Sequence, residues 1–318
     1  MLRPAGGVLL CLLASASNCC DQSSAESSEA STASPAAAQS GSREHSSASI
    51  LAELPAWKFE SAFELLEVPE PSGLCYHPGR NTLFIVDDGC FGRRSAIFEI
   101  DLQANVLAKA ELCAGVEGIA YCDLEGVCYC EADGMLYVCD ENGERVFIVN
   151  PEGLELVGWF QVSRFFEGKE VLRARGNGFE GIEYIPVDAA RSGLREPYKP
   201  GGGYFLLLNQ DDPHCVVRID LEDIDLSPDA APVPLSGFWE IASINAGELH
   251  YDQQAGELWV VHSWMNVMEM LDIETMEVLR WEVIPGSAQE AVAIDGQGRL
   301  WIGADSGGIA RYVREQPD

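Results

Sequence analysis

The sequence predicts an all-β protein, a single β-propeller of four-stranded antiparallel blades. Three observations carry this: one short alternating segment recurs five times, a turn-linked β-rich run follows each copy, and a third strand follows that run. The recurring segments are Ser72-Gly73-Leu74-Cys75-Tyr76, Glu125-Gly126-Val127-Cys128-Tyr129, Glu180-Gly181-Ile182-Glu183-Tyr184, Gly247-Glu248-Leu249-His250-Tyr251 and Glu290-Ala291-Val292-Ala293-Ile294. Each is apolar at alternate positions, the period of a strand with two distinct faces. Compact turns at 77–80, 131–134, 252–257 and 295–298 lead into second runs at 82–86, 135–139, 258–261 and 300–303, so these pairs are hairpins. In the third unit the second strand is 204–208, and a Pro- and Gly-rich insertion over 185–203 replaces the tight turn. Third strands are expected at 97–101, 145–150, 216–221, 267–272 and 309–313, and outer strands at 105–112, 154–162, 231–235 and 277–283. The last unit runs out of chain after three strands. The stretch 57–68 is expected to supply the fourth, so that the N-terminal strand closes the ring. The count is five blades, with 113–121 and 221–244 left open as places for a sixth.

The chain before this repeat reads as an address. Met1-Leu2-Arg3 sets a positive charge ahead of the apolar run 8–14, which gives way to small residues and then Cys19-Cys20. That is the layout of a secretory signal peptide over 1–19, too short to span a bilayer. Ala16 and Ser17 before the paired cysteines resemble a bacterial lipobox, although Asn18 stands where Gly or Ala is usual, and they make Cys19 or Cys20 the candidate lipid anchor. Residues 20–54 are mostly Ser, Ala, Glu and Gln without apolar periodicity and are expected to form a disordered tether, leaving 55–318 as the propeller. The expected location is the bacterial cell envelope, held to a membrane by lipid alone and facing the periplasm or the outside; plain secretion is the alternative.

With 51 acidic against 20 basic side chains, the formal charge of −31 repels phosphate backbones and excludes a nucleic-acid partner. Eleven cysteines suit an oxidising compartment, and eight of them fall in the folded part. No paired Cys-x-x-Cys occurs there, so buried thiols with one or two disulfides are expected and the pairing stays open.

Propeller geometry converts the repeat into a site. Inner strands line the central channel, and the start of each lies on the same face as the end of its hairpin partner. Inner-strand starts bring Glu125, Glu180 and Glu290 to one mouth, beside Ser72 and Gly247; second-strand ends add Asp87, with its neighbour Asp88, and Asp140, Glu141, Asn209, His262 and Asp305. Three glutamates aimed at one axis repel each other unless a cation, shared protons or an arginine intervenes. Calcium is the expected cation, because it accepts six to eight oxygens in flexible geometry, and Glu125, Glu180 and Glu290 are its expected ligands. The competing expectation is that these carboxylates are solvated or paired with Arg93, Arg94 or Arg145. The Gly-x-Ser-x-Gly elbow, His-Glu-x-x-His and the phosphate-cradling Gly-x-x-x-x-Gly-Lys are all missing from the sequence. Glu117-Gly118-Ile119-Ala120-Tyr121 copies the repeat motif early and reads as a decoy.

Asp123-Leu124-Glu125-Gly126, Gly178-Phe179-Glu180-Gly181-Ile182-Glu183-Tyr184 and Ala288-Gln289-Glu290-Ala291-Val292-Ala293-Ile294-Asp295, with Asp140-Glu141 after the second strand, resemble the repeated motifs of the SdiA-regulated family of exported β-propellers. The resemblance covers roughly 57–313. It departs where Asp305-Ser306-Gly307-Gly308 replaces the family's Ser-Glu-Pro-Asn and Gly247-Glu248 replaces a Ser-Gly. It implies a secreted or membrane-tethered propeller with calcium in the channel, and more distantly a fold similar to gluconolactonase-like and calcium-dependent phytase-like propellers. The expected function is an envelope-tethered, calcium-containing binding or scaffold module for a small-molecule or envelope ligand. The alternative is a metal-dependent hydrolase of a lactone or phosphoester, with Asp140 or His262 as base.

Overall fold

The computed structural model describes residues 57–314 except 90–93, 115, 120, 174–177, 188–201, 228, 242–244, 254–255, 287 and 305–306. The signal peptide, the tether, Cys19 and Cys20, Arg93 and Asp305 therefore lie outside the described residues.

Five four-stranded antiparallel sheets follow one another along the chain. Blade 1 is Pro71–His77, Thr82–Asp87, Ala96–Ile100 and Val106–Ala110; blade 2 is Leu124–Cys130, Met135–Asp140, Arg145–Asn150 and Glu155–Gln161. Blade 3 is Phe179–Pro186, Gly203–Asn209, Cys215–Asp220 and Gly237–Glu240; blade 4 is Ala246–Asp252, Glu257–His262, Val267–Leu271 and Val278–Val283. Blade 5 takes Gln289–Ile294, Leu300–Ala304 and Ile309–Arg314 from the C-terminal end and Trp57–Phe63 as its outer strand, in register from Trp57 opposite Arg314 to Phe63 opposite Ile309. The first and last strands thus close the ring, as the missing fourth strand of the last unit requires.

Two expectations change. The outer strand of blade 3 is Gly237–Glu240, paired with Cys215–Asp220, and not 231–235; Val233 instead makes an isolated parallel bridge to Val162. Pro232 and Pro234 flank that valine and lack the N–H groups a ladder needs, so the strand forms only beyond them. The stretches left open for a sixth blade hold no further sheet among the described residues, and Cys113 and Cys122 are joined by a disulfide that closes the first of them. Cys75, Cys128, Cys130, Cys139 and Cys215 are buried free thiols.

Each inner strand packs beside the inner strands of two neighbours, which completes the ring. The core is correspondingly divided into five clusters, one between each pair of adjacent blades. Trp301 and Ala291 of blade 5 meet Phe98 and Ile85 of blade 1, for example, and all four are buried. Both faces of a blade are covered by its neighbours, so second strands such as Thr82–Asp87 and Gly203–Asn209 are buried almost throughout, while outer strands such as Val106–Ala110 alternate.

Glycine at the second position of the repeat sets how closely the inner strands approach. A Cβ on Gly126 would lie 2.7 Å from Ile182 N and 2.8 Å from Gly181 Cα, and one on Gly181 would lie 2.7 Å from Leu249 N. These obstacles are backbone, which a rotamer change cannot move aside. At Gly247 the nearest atom to such a Cβ is Glu290 Cγ at 3.7 Å, an ordinary contact. Gly126→Ala is therefore expected to lower the unfolding free energy by about 1–3 kcal/mol, the range for overpacking a close-packed interior. Gly247→Ala is expected to change it by less than about 0.5 kcal/mol, and urea denaturation of the two variants checks the contrast.

Candidate metal centre in the central channel

Every inner strand is irregular at the same place. Its pairing with the second strand shifts between Pro71 and Gly73, Leu124 and Val127, Phe179 and Gly181, Ala246 and Glu248, and Gln289 and Ala291. The extra residue is the first of the repeat motif: Ser72, Glu180, Gly247 and Glu290, with Glu125-Gly126 in blade 2. A β-bulge leaves one residue out of the ladder and re-aims its side chain. Glu125, Glu180 and Glu290 owe their position at the mouth to this local break in pairing.

The tightest gathering of acidic oxygens lies toward blades 1 and 2. Asp88, Asp123 and Glu125, all half-buried, each offer a carboxylate oxygen within 4.8 Å of the others. Asp88 follows the second strand of blade 1, while Asp123 and Glu125 flank Leu124 at the start of blade 2. Glu141 closes the group from below: its N–H donates to the Asp123 carbonyl at 2.9 Å, and its carboxylate accepts from Gly178 N at 3.3 Å. Asn142 Nδ2 donates to Asp123 at 2.6 Å.

The electrostatics match this crowding. Burial first, then Glu141 and Asp88, push the Asp123 carboxyl up to about 7. Glu125 is raised well above the usual carboxylate range by burial and then by Glu180 and Asp123. Glu180 is raised by burial, Glu141 and Glu290. Glu141 is raised by burial in spite of its bond from Gly178. The groups are thus close enough to resist ionising together. Of the arginines considered as counter-ions, Arg145 is held by Asp140 at 2.5 Å and Arg94 by Glu111 at 3.3 Å.

The other residues of the sequence-derived rim have different surroundings. Asp87 accepts hydrogen bonds from Gly89 N at 3.0 Å and Glu70 N at 3.4 Å, shaping its own loop. Asp140 is fully buried and joins Asp123 N to Arg145 Nε. Asn209 donates to the carbonyls of Asp211 and Pro213, both at 2.8 Å. His262 is fully buried, with Nε2 3.1 Å from Glu269 and its ring against Trp281. Asp88 enters the cluster as the neighbour of Asp87, and Asp123 is the residue the rim reading omitted. Asp123 stands two residues before Glu125, the spacing that places two strand side chains on one face, and that spacing was the available signal.

One carboxylate occupies the channel below the mouth. Glu248 holds the position that is glycine or alanine in the other four blades and is fully buried. One oxygen accepts from its own Leu249 N at 3.0 Å and the other from Leu74 N of blade 1 at 3.3 Å, so the side chain links blade 4 to blade 1. Burial holds this carboxyl well above the ordinary value, with Glu183 and Glu180 adding to the rise.

Residues 60–196 match the family model described as SdiA-regulated, a span that holds the motifs at 123–126 and 178–184 but not the one at 288–295. No curated protein matches the chain by sequence. Among solved structures, the Myxococcus xanthus glutaminyl cyclase is similar with a TM-score of 0.56 at 12% identity, over 82% of this chain and 97% of that one. A streptogramin B lyase follows with a TM-score of 0.42 at 10% identity, over 81% of this chain and 98% of that one. A virginiamycin B lyase from Staphylococcus aureus gives a TM-score of 0.40 at 11% identity, over 82% of this chain and 76% of that one. At such identities the cyclase likeness is one of fold.

Glu248 yields a stability test. A carboxyl that is protonated in the fold and ionises near 4.5 when unfolded makes the folded state bind more protons, so its contribution is whole below pH 4.5 and declines as pH rises. Glu248→Gln keeps one acceptor oxygen but turns an NH2 toward the second amide, so it is expected to cost about 1–2 kcal/mol and to flatten the decline above pH 4.5. Glu248→Ala is expected to lose about 2–3 kcal/mol by stranding the amides of Leu74 and Leu249. Denaturant titrations over a pH series check both.

Proposed function

We propose that this chain, a five-bladed propeller belonging to the SdiA-regulated family over residues 60–196, is a calcium-holding binding or scaffold module of the cell envelope. The observation that carries the reading is the oxygen cluster of Asp88, Asp123 and Glu125 within 4.8 Å, with Glu141, Glu180 and Glu290 around it. The donor set fits a hard cation. It is all oxygen, and two ligands of one calcium ion, each roughly 2.4 Å from it, stand at most about 5 Å apart. Asp88, Asp123 and Glu125 would hold the ion, with Glu141, Glu180 and Glu290 in reserve for its charge. A bound cation would offset the burial and the neighbouring charge that raise the carboxyls of Asp123, Glu125, Glu141 and Glu180. The envelope location rests on Arg3, the apolar run 8–14 and Cys19-Cys20 in the sequence, the last as candidate lipid anchor.

The hydrolase reading draws less support. Its two candidate bases, Asp140 and His262, are fully buried and engaged by Arg145 and Glu269. Neither is poised to meet a water at the mouth.

Calcium at a hundredfold excess over its dissociation constant is expected to stabilise the protein by about 2.7 kcal/mol, which is a rise in Tm of roughly 5–10 °C for a domain of this size. Glu125→Gln is expected to raise Tm in chelator, because it removes a repelling carboxyl, and to abolish most of the calcium response. Metal analysis finding no calcium in the purified protein, together with a Tm indifferent to calcium and chelator, would overturn the proposal.

A further inference from the structure

The far ends of the inner strands open into a second cavity, of about 440 Å³, whose lining includes Cys75, Tyr76, Tyr129, Glu183, His250 and Tyr251. These residues come from the fourth and fifth positions of the repeat and lie at the opposite end of the same strands from the acidic cluster. The volume is that of a small-molecule site.

At its floor Glu183 is anchored with care. One carboxylate oxygen accepts from Tyr184 N at 3.1 Å and the other from Tyr251 N at 3.1 Å, the latter from the next blade. His250 Nδ1 is 3.6 Å away, and the Glu183 side chain is only 16% exposed. Among the described residues no lysine or arginine pairs with Glu183. The one arginine in the lining, Arg314, lies over the Trp57 ring at 4.9 Å and 3.6 Å from Glu282. Glu131 and Asp252 also line the cavity.

An oriented carboxylate without a cationic partner, walled by three tyrosines beneath an acidic rim, is complementary to one class of ligand. We infer that this mouth of the channel binds a small organic cation, an ammonium group on a short apolar or aromatic body, with Glu183 as counter-ion and Tyr76, Tyr129 and Tyr251 as aromatic walls. The rest of the site is consistent with that charge. Burial moves His250 down to about 4, so it is neutral at ordinary pH and does not itself neutralise Glu183. Burial lifts Glu183 to about 8, the cost of ionising a carboxyl that lacks a cation. The titratable groups facing it are Cys75, Cys128 and Glu248, all raised by burial, together with His250. At neutral pH none of these four carries a charge that would compete for an ammonium, and the cavity wall adds the acidic groups Glu131, Asp252 and Asp295, the last paired with Arg299. Binding of the cation therefore displaces the Glu183 proton.

The test is calorimetric titration of the purified protein with phenethylammonium and with the neutral phenethyl alcohol, in calcium and again in chelator. Phenethylammonium is expected to bind at least about tenfold more tightly than the alcohol, an advantage of roughly 1.4 kcal/mol. Its affinity is expected to rise by up to about tenfold per pH unit between pH 6 and 8 as the proton becomes easier to displace. Glu183→Gln is expected to remove both the preference for the cation and the pH dependence. Equal affinities for the two probes, or no binding of either by the wild type, would overturn the inference whether or not that variant folds. Because the wild-type comparison is made with and without calcium, it decides the matter independently of the proposed metal centre.

Discussion

Five inner strands packed backbone to backbone around an axis are the constraint on which the rest depends. Gly73, Gly126 and Gly181 make that approach achievable, since a Cβ at any of them would fall within 3 Å of the neighbouring blade's main chain. A ring this narrow forces whatever stands at the bulge into close quarters. Carboxylates placed there by Glu125, Glu180 and Glu290 meet at distances where their charges interact strongly, and burial removes the water that would have screened them. Crowding, and not any single residue type, makes the mouth chemically unusual.

The same constraint separates the channel into parts. Glu248 fills the one second position that does not need to be glycine or alanine and carries its hydrogen bonds across to blade 1. Above it is a cluster of oxygens suited to a hard cation. Below it the strands end in a wider cavity with aromatic walls. A single repeat motif of five residues thus supplies two chemically different surfaces, because its first position is bulged and its fourth and fifth positions return to regular pairing.

How much of this could be read beforehand depends on range. The blades were legible because alternation and turn chemistry are local: the hairpins of blades 1, 2, 4 and 5 begin and end within a residue or two of where Tyr76, Tyr129, Tyr251 and Ile294 place them. Ring closure by Trp57–Phe63 was legible by counting strands. The outer strand of blade 3 was displaced because Pro232 and Pro234 outweigh the apolar character of Val233. At the rim, sequence position could bring residues to one mouth but could not say which way they turn. Asp87 bends into its own loop and Asp88 faces the cluster, although the two are adjacent. Asp140 and His262 sit at the right strand ends but find partners one strand over in Arg145 and Glu269. Such choices are settled by side-chain packing between blades, which no local pattern encodes. The pairing of Cys113 with Cys122 was likewise beyond reach of the spacing alone.

Sealing the circle with strands from both extremities has a consequence for how the molecule comes into being. Glu60 and Arg311 form an ion pair across nearly the whole polypeptide, and Trp57 waits opposite Arg314. Until Ile309–Arg314 has been synthesised, blade 5 lacks the strand that joins Leu300–Ala304 to Trp57–Phe63. Closure of the ring is therefore gated by synthesis of this strand, and a product cut short before it would present an open edge instead of a slightly smaller ring.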